Sequence, residues 1–382
     1  MNFNHYLKEL EALYGEEEIL LHRPLLGSIE KFHLSKCIDG GYVSSAGEFI
    51  AQVENEIARA LGSKYCVVTV NGTSSLRVVL HLLGVRSETE VITQGLTFVA
   101  TGAAIRDLGA FPVFLDVDRD SMGLSPKALQ RFLETSVVKR DGACINRHTG
   151  RQVKACVPMH TLGMPGRISE ITEICTTYDL PVIEDAAEAY GSRVQGKALG
   201  TFGLAGILSF NGNKIVTAGG GGAVVTDDEE LARDIRHVCT TAKVPHEYEF
   251  VHDRLGFNYR MPNLNAALLS AQLKRFSDIE MSKEYCFKRW HDFFSANEID
   301  FILPWSKEVH WNKWLFGVIH KDEVSKNNFI ENCLQKKIQV RPLWKPLPSL
   351  IPYRDCYADE QENAFWLYDR VVNIPSSPME PI

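Results

Sequence analysis

A single lysine and four glycines pose the first chemical question. In the stretch "ILSFNGNKIVTAGGGGAVVTDD", residues 207–228, Lys214 stands between an apolar run and the glycines at 219–222. A P-loop is excluded, because that motif needs its glycines ahead of the lysine and Ser or Thr directly after it. Here the glycines follow, and Ile215 comes next. Two readings remain. Asn-Gly between short apolar runs is a strong hairpin signal, which would leave Lys214 solvated on a strand and the glycines in a loop. The other reading gives the lysine a reactive role, and residues elsewhere bear on it.

Three further clusters could act with Lys214. "VNGTSSL" puts Thr73 and Ser74 at a helix start after a strand, where free amides, the helix dipole and hydroxyls make either an anion site or an ordinary capped helix. "PVIEDAAEAY" ends an apolar strand on Glu184 and Asp185. Such carboxylates serve as metal ligands, as an acid–base pair or, most commonly, as caps for the next helix. Phe98 in "LTFVAT" follows another strand, as core packing or as a stacking platform. Ser209 lies five residues before Lys214. Together an anion site, a carboxylate, a flat aromatic and a lysine match what pyridoxal phosphate requires. The lysine engages its aldehyde, an Asp keeps its pyridine nitrogen protonated, amides and hydroxyls hold the phosphate, and an aromatic stacks on the ring.

These residues need strand ends to stand on, and the sequence supplies them. "YCVVTV", "EVITQG", "FPVFLDVD", "VKACVPMH" and "LPVIEDAA" read as strands. Between them "LRVVLHLLG", "LTFVATGAAIRDLGA", "SPKALQRFLET" (opened by a serine cap and a proline) and "ISEITEICTTYD" read as helices. That alternation predicts an α/β fold, a mostly parallel central sheet covered by helices, which binds ligands at the carboxyl ends of its strands. After residue 265 the texture changes. Residues 263–297 form one long helical pattern, followed by strand-like "LFGVIH" and "KKIQVRPLW". The expected division is an N-terminal segment at 1–24, a large domain at 25–265, and a connecting helix with a smaller α+β domain at 266–382.

The 382 residues, 45% of them hydrophobic, suffice for a large core. Net charge is −7 with no Lys/Arg-rich run, which argues against nucleic acid or an anionic membrane as partner. No apolar run reaches membrane-spanning length, and the start "MNFNHYLKELEALYGEEE" lacks the basic opening and apolar core of a signal peptide. Nine scattered cysteines without a CxxC pair fit reduced thiols in a cytoplasmic protein. The "NGT" at 71–73 matches a glycosylation sequon, discounted without a secretion signal. No metal site is expected.

The motifs "GGYVSSAGEFIAQVENEIA", "NGTSSLRVVL", "LTFVATGAAI", "VPMHTLGMPG", "VIEDAAEAYGS", "SFNGNKIVTAGGGGAVVT" and "GFNYRMPNLNAALL" together resemble the DegT/DnrJ/EryC1/StrS sugar aminotransferases, which are fold-type-I pyridoxal-phosphate enzymes. The run "SFNGNK…GGGG…TTAKVPH" further resembles the branch that aminates 4-keto sugars on routes to legionaminic acid and bacillosamine. The resemblance implies that Lys214 holds the cofactor and shuttles the proton, and that Asp185 partners the pyridine nitrogen. It implies Phe98 as the stacking aromatic and Thr73, Ser74 and Ser209 as phosphate ligands. Asn258 matches an asparagine that reaches the phosphate of a neighbouring subunit, which implies a homodimer with shared sites. Glu188 stands where relatives carry His or Gln beside the cofactor, and an acid there could accept a hydrogen bond from the ring hydroxyl. His160, His252, Arg260 and Arg341 are candidate substrate contacts or structural polar residues. Pro348 falls where many members carry the histidine of a "PLH" motif.

The implied reaction moves the amino group of L-glutamate to the C4 keto group of a nucleotide-linked 4-keto-6-deoxy sugar. The sugar expected is a UDP-2-acetamido-2,6-dideoxy-hexos-4-ulose, on the way to surface polysaccharide or lipopolysaccharide. Pyridoxamine phosphate carries the amino group between half-reactions, so ping-pong kinetics are expected. Alternatives are a GDP-perosamine-type or 8-amino-Kdo-type keto-sugar, or a sugar dehydratase. Dehydratases of this group replace the lysine with histidine, and Lys214 argues against that activity.

Overall fold

The computed structural model describes residues 3–15 and 18–379. The strands of its first part are β1 (Tyr65–Thr69), β2 (Thr89–Gln94), β3 (Phe111–Leu115), β4 (Val137–Arg140), β5 (Ala143–Asn146), β6 (Gln152–Val157), β7 (Ile183–Asp185), β8 (Arg193–Val194), β9 (Lys197–Ala198), β10 (Ala205–Ser209) and β11 (Gly222–Thr226). β2 lies parallel between β3 and β6, and β7 lies parallel beside β10. β11 runs antiparallel to both β10 and β1. Bridges at Cys156↔Val182 and Met159↔Asp185 join β6 to β7. The main sheet therefore reads β3-β2-β6-β7-β10-β11-β1, and β5 and β4 extend it from β6 as antiparallel strands. This is the mostly parallel α/β sheet expected, with β11 reversed.

Strand pleating sorts side chains into cores on the two faces. Val67, Ile207, Val224 and Val157 join one cluster, with Val79, Ile105 and Val238 of the helices Gly72–Leu82, Val99–Arg106 and Glu229–Cys239. Their strand neighbours Val68, Leu208, Val225 and Cys156 join the other, with Val53, Leu133, Ile171 and Leu269 of the helices Glu48–Leu61, Pro126–Ser136, Ile168–Thr177 and Asn263–Lys274. Burial on both faces explains why these strands read as unbroken apolar runs.

The structure also departs from the expected elements. The Asn-Gly hairpin exists, since β10 and β11 pair antiparallel, but the residues between them form a wide loop with Lys214 inside it. Gly219 takes a φ of +72°, and a Cβ on Gly222 would lie 2.4 Å from the Asn71 carbonyl carbon. The glycine run thus turns the chain and lets β11 pass against the start of the Gly72–Leu82 helix. Ser125 occupies the N-cap ahead of Pro126, but its hydroxyl makes no capping bond. The long helical pattern is two helices, Asn263–Lys274 and Phe276–Ala296. At Arg275 the backbone leaves the helix (ψ 5°), and its guanidinium reaches Glu30 at 3.2 Å.

The later strands are β12 (Val309–His310), β13 (Phe316–Ile319), β14 (Arg341–Pro342) and β15 (Val371–Ile374). β12 pairs with β8, and the others form an antiparallel sheet of order β13-β15-β14. The helix Phe3–Tyr14 packs onto this later part of the chain, with the Tyr6 ring 5.3 Å from Trp290 and 5.2 Å from Phe329. Among the described residues no helix is long and apolar enough to cross a membrane.

Lys283 is sealed beneath this region. Its Nζ donates to the carbonyl of Trp314 at 2.8 Å and to that of Ser376. Two carbonyl acceptors suit the two N–H bonds of a neutral amine. Burial, assisted by the charge of Lys313 and opposed by Cys286, lowers the pKa from the ordinary 10.5 to about 7. Between those values the unfolded chain binds the proton and the folded chain does not, so this group makes folding more favourable as pH rises through the window. The melting-temperature difference between wild type and Lys283→Met should therefore move in favour of wild type from pH 7 to pH 10, roughly the window those pKa values define. A difference that stays flat across calorimetric scans contradicts the buried neutral amine.

Candidate active site

β7 makes the first placement. Its last residues were a carboxylate pair in sequence, but pleating sends them to opposite sides. Glu184, with no exposed surface, accepts from the backbone N–H groups of Gly200 (2.8 Å), Phe202 (2.6 Å) and Gly203 (3.0 Å) and lies 3.2 Å from His160 Nε2. It is a structural anchor and not half of an acid–base pair. Asp185 faces a cavity of about 750 Å³. Its Oδ2 accepts from the Thr101 hydroxyl at 2.7 Å and its Oδ1 from the Ala187 amide at 3.2 Å, which fixes the plane of the carboxylate.

The ends of β1 and β10 supply the next wall of that cavity. Asn71 caps the Gly72–Leu82 helix, its side chain accepting from Ser74 N–H at 2.8 Å; such a cap contributes about 1 kcal/mol. The Ser75 N–H goes to the Asn71 carbonyl, and the first amides of a helix have no intrahelical acceptor. Gly72 and Thr73 therefore present N–H groups at the positive end of the helix dipole. A Cβ on Gly72 would lie 3.1 Å from the Ser209 Cβ, so this helix start sits against Ser209. Thr73, Ser209 and Phe98 all line the cavity. Phe98 is 45% exposed although it begins a helix between buried strands, with its ring 5.7 Å from Trp344. Donor amides with hydroxyls, an oriented carboxylate and an uncovered aromatic ring fit pyridoxal phosphate group by group.

Lys214 lies on the same cavity. It is not solvated: its side chain is 12% exposed, and Nζ donates to Glu188 Oε1 at 3.0 Å. Nζ also sits 4.1 Å from the centroid of the Trp314 ring, an arrangement that favours a cation. The Trp314 indole is itself held, donating to the Asn213 carbonyl at 2.7 Å. Glu188 accepts a second bond from Leu162 N–H at 2.8 Å. Its burial raises the carboxyl pKa above the ordinary value, and the charge of Lys214 is the largest influence opposing that rise.

The remaining sequence candidates separate. Arg341 lines the cavity and forms no ion pair among the described residues. Its Nη1 donates to the Val340 carbonyl at 2.8 Å. Ser74 lies at the helix start behind Thr73, largely buried, and is not part of the cavity wall. His160 does not reach the cavity either. It is 1% exposed, with Nε2 at Glu184 and Nδ1 accepting from Gly166 N–H at 3.1 Å, so its geometry is that of a structural residue. His252, Asn258 and Arg260 stand on the exposed segment that follows the Glu229–Cys239 helix, and none of them lines this chain's own cavity. His252 Nδ1 pairs with the Thr241 carbonyl at 2.8 Å. Pro348 sits in the short turn Leu347–Ser349. Sequence reasoning missed Trp314, Thr101 and Gln94, because a lone aromatic, threonine or glutamine carries no local pattern. Gln94 is fully buried and uses both ends of its amide. It donates to the Leu96 carbonyl at 2.9 Å and accepts from Leu124 N–H at 2.9 Å and Met159 N–H at 3.0 Å, tying together the loops after β2, β3 and β6.

The neighbours on β7 should respond in opposite ways to substitution. Glu184→Ala strands three backbone N–H groups, that of Gly200 buried and those of Phe202 and Gly203 partly buried, and each buried donor left unsatisfied costs about 1–3 kcal/mol. Urea denaturation should show a loss of more than about 3 kcal/mol for Glu184→Ala, against less than about 1.5 kcal/mol for the isosteric Asp185→Asn. Equal losses would contradict the division of labour along β7.

Comparison with known proteins accords with the geometry. The model of the DegT/DnrJ/EryC1/StrS aminotransferase family matches residues 26–379. The chain is 32% identical over 332 residues to EpsN of Bacillus subtilis (strain 168), covering 87% of this chain and 82% of that protein. It is 30% identical over 362 residues to the GDP-perosamine synthase of Escherichia coli O157:H7, covering 94% and 93%. The aminotransferase TlmJ of Streptoalloteichus hindustanus shares the fold, with a TM-score of 0.86 at 24% identity over 94% of both chains. With a lysine, an oriented aspartate and a helix-start anion cradle on one cavity, the chain belongs to the DegT/DnrJ/EryC1/StrS aminotransferase family and is a pyridoxal-phosphate-dependent transaminase.

Proposed function

We propose that the protein transfers the amino group of L-glutamate to the C4 keto group of a nucleotide-linked 4-keto-6-deoxy sugar. The sugar we favour is a UDP-2-acetamido-2,6-dideoxy-hexos-4-ulose for legionaminic-acid-like or bacillosamine-like surface glycans, made in the cytoplasm. The observation that carries the transaminase chemistry is the convergence of Lys214, Asp185, Thr73, Ser209 and Phe98 on one cavity. The choice of sugar rests on the motif resemblance in residues 209–246. The GDP-perosamine synthase among the relatives favours a second reading, a GDP-linked acceptor.

When bound, pyridoxal phosphate supplies an aldehyde that takes up the amino group and a protonated ring that draws electrons from the reacting carbon. The chain supplies the rest. Thr73, Ser209 and the Gly72 and Thr73 amides would hold the phosphate, with Ser74 behind them, and Phe98 would cover the ring face. Asp185 would hold the proton on the ring nitrogen. Lys214 Nζ takes the proton from the glutamate α-carbon, and in the second half-reaction it delivers one to the carbon that becomes C4 of the amino-sugar. Glu188 keeps Nζ over the cavity between these transfers, and the Trp314 ring limits its swing. Arg341, a cavity guanidinium without a carboxylate partner among the described residues, binds an anionic part of a substrate.

Borohydride treatment of the holoprotein followed by peptide mapping should label Lys214. Lys214→Ala should lose the label and multiple turnover with glutamate and a panel of UDP-, GDP- and dTDP-linked 4-keto sugars. Labelling at another lysine, or sustained turnover in the variant, rejects the assignment.

We further propose a homodimer in which Asn258 of one chain completes the phosphate site of its partner. Tyr248, Phe250 and Leu255, exposed at 77%, 80% and 76%, are large apolar side chains that a partner would cover. Lys214→Ala and Asn258→Asp homodimers should each be nearly inactive. Exchanging their chains should restore activity toward about half of the wild-type value per heterodimer, because one site then carries neither defect. Verified heterodimers without recovery would rule out shared sites.

A further inference from the structure

The cavity has a polar wall that the transamination chemistry does not use. His22 lines it, from a segment that precedes the sheet by many residues. Among the described residues neither ring nitrogen has a hydrogen-bond partner, and both are shielded from bulk solvent. The nearby Asn213 carbonyl accepts from the Trp314 indole at 2.7 Å and does not meet either ring nitrogen in hydrogen-bond geometry. Asn373 of β15 lines the same cavity, is 4% exposed, and its Oδ1 is also without a donor. Buried polar atoms left unpaired cost free energy in an otherwise well-satisfied protein, and at a binding wall they mark where a ligand completes the pairing.

The wall is rigid. Ser376 N–H donates to the Leu21 carbonyl at 2.9 Å, and Arg23 N–H donates to Ser377 Oγ at 2.9 Å, so both neighbours of His22 are pinned. The imidazole stands edge-on to Trp314 with ring centroids 6.4 Å apart. Asn373 is clamped between Gly317 and Arg341 in the β13-β15-β14 sheet. These groups cannot readily turn away to find other partners.

We propose that His22 and Asn373 form an uncharged hydrogen-bonding subsite that reads a hydroxyl or N-acyl substituent on the ring of the acceptor sugar. The proposal rests on the reading that the acceptor is a keto-sugar. The chemistry of the wall selects that class of group. Burial above all, with the nearby Lys214, keeps the His22 pKa well below its ordinary value. A neutral imidazole offers one donor and one acceptor, and the Asn373 oxygen offers an acceptor. Hydroxyl and amide groups carry both complements. A carboxylate or phosphate carries only acceptors and a charge, and the cavity meets such groups elsewhere, at Arg341, Lys214 and the helix start. A site that leaves buried polar groups unpaired discriminates strongly against substrates lacking the matching group.

The test uses the dimeric holoenzyme and separates the half-reactions by single-turnover absorbance. Acceptors are nucleotide-linked 4-keto-6-deoxy sugars that differ at one ring position, bearing hydroxyl, acetamido or hydrogen. Wild type should prefer a polar substituent at one position. His22→Phe keeps the ring against Trp314 but removes both nitrogens. It should lower kcat/KM for the keto-sugar half-reaction about ten- to hundredfold more than for the glutamate half-reaction, and erase most of the preference. His22→Gln restores a donor and an acceptor and should recover part of it. Equal losses in both half-reactions, or a preference that survives His22→Phe through a bridging water, overturn the subsite. Wild type without preference at any position overturns it irrespective of how the variants fold. Wild type that accepts no keto-sugar overturns the sugar reading itself, a result distinct from these.

Discussion

A carboxylate buried at the end of a strand governs the geometry of this molecule. Glu184 has no exposed surface and is met by three backbone amides and a histidine. A charge in that position costs several kcal/mol unless it is fully paired, so the turn at 200–203 and the loop carrying His160 are fixed relative to β7. The turn closes tightly: a Cβ on Gly203 would lie 2.3 Å from the Val182 carbonyl oxygen, and one on Gly206 would lie 2.2 Å from that of Gly200. With Glu184 committed to this side, pleating leaves Asp185 no choice but the other. The neighbouring β10 then carries Ser209 and, within the loop that follows it, Lys214 to the same edge.

Part of this was legible in the chain and part was not. Apolar runs separated by helical patterns identify a doubly covered sheet, because burial on both faces removes any alternation. The residues that meet on the cavity were legible because each stands at or after a strand end with a chemically unusual neighbourhood: Thr73 at a helix start, Asp185 at the end of an apolar strand, Lys214 before a glycine run. The side of the sheet each residue serves was less visible. Glu184 and Asp185 look equivalent in sequence, and only the register of β7 with β10 separates them. The break at Arg275 was hidden because neither Gly nor Pro marks it. The backbone leaves the helix where the arginine meets Glu30, which lies far away along the chain. His160 stayed open between two readings because a histidine near the end of a strand looks the same whether it faces a substrate or a buried carboxylate.

The site also illustrates how charges are arranged around a mobile amine. Lys214 has one carboxylate and one aromatic face within reach, and these pull in different directions. Glu188 sits deep, tied to Leu162 N–H, while Trp314 is tied to the Asn213 carbonyl and rests on the Lys283 amine. Both supports are themselves fixed by backbone groups, so the lysine side chain is the movable member of the set.

The pinning of residues 21–23 to residues 376–377 has a consequence for synthesis. The wall built from His22, Trp314, Arg341 and Asn373 joins segments that leave the ribosome at widely separated times. During translation β1 to β7, β10 and β11 can pair once residue 226 has emerged, since their sheet partners lie within that span, whereas β8 waits for β12 and the Asn263–Lys274 helix follows later. The cavity then has its floor but lacks the wall supplied by residues 314–373. A nascent chain is thus a sheet with an open cleft, and substrate-sized selectivity arrives only when β15 inserts between β13 and β14.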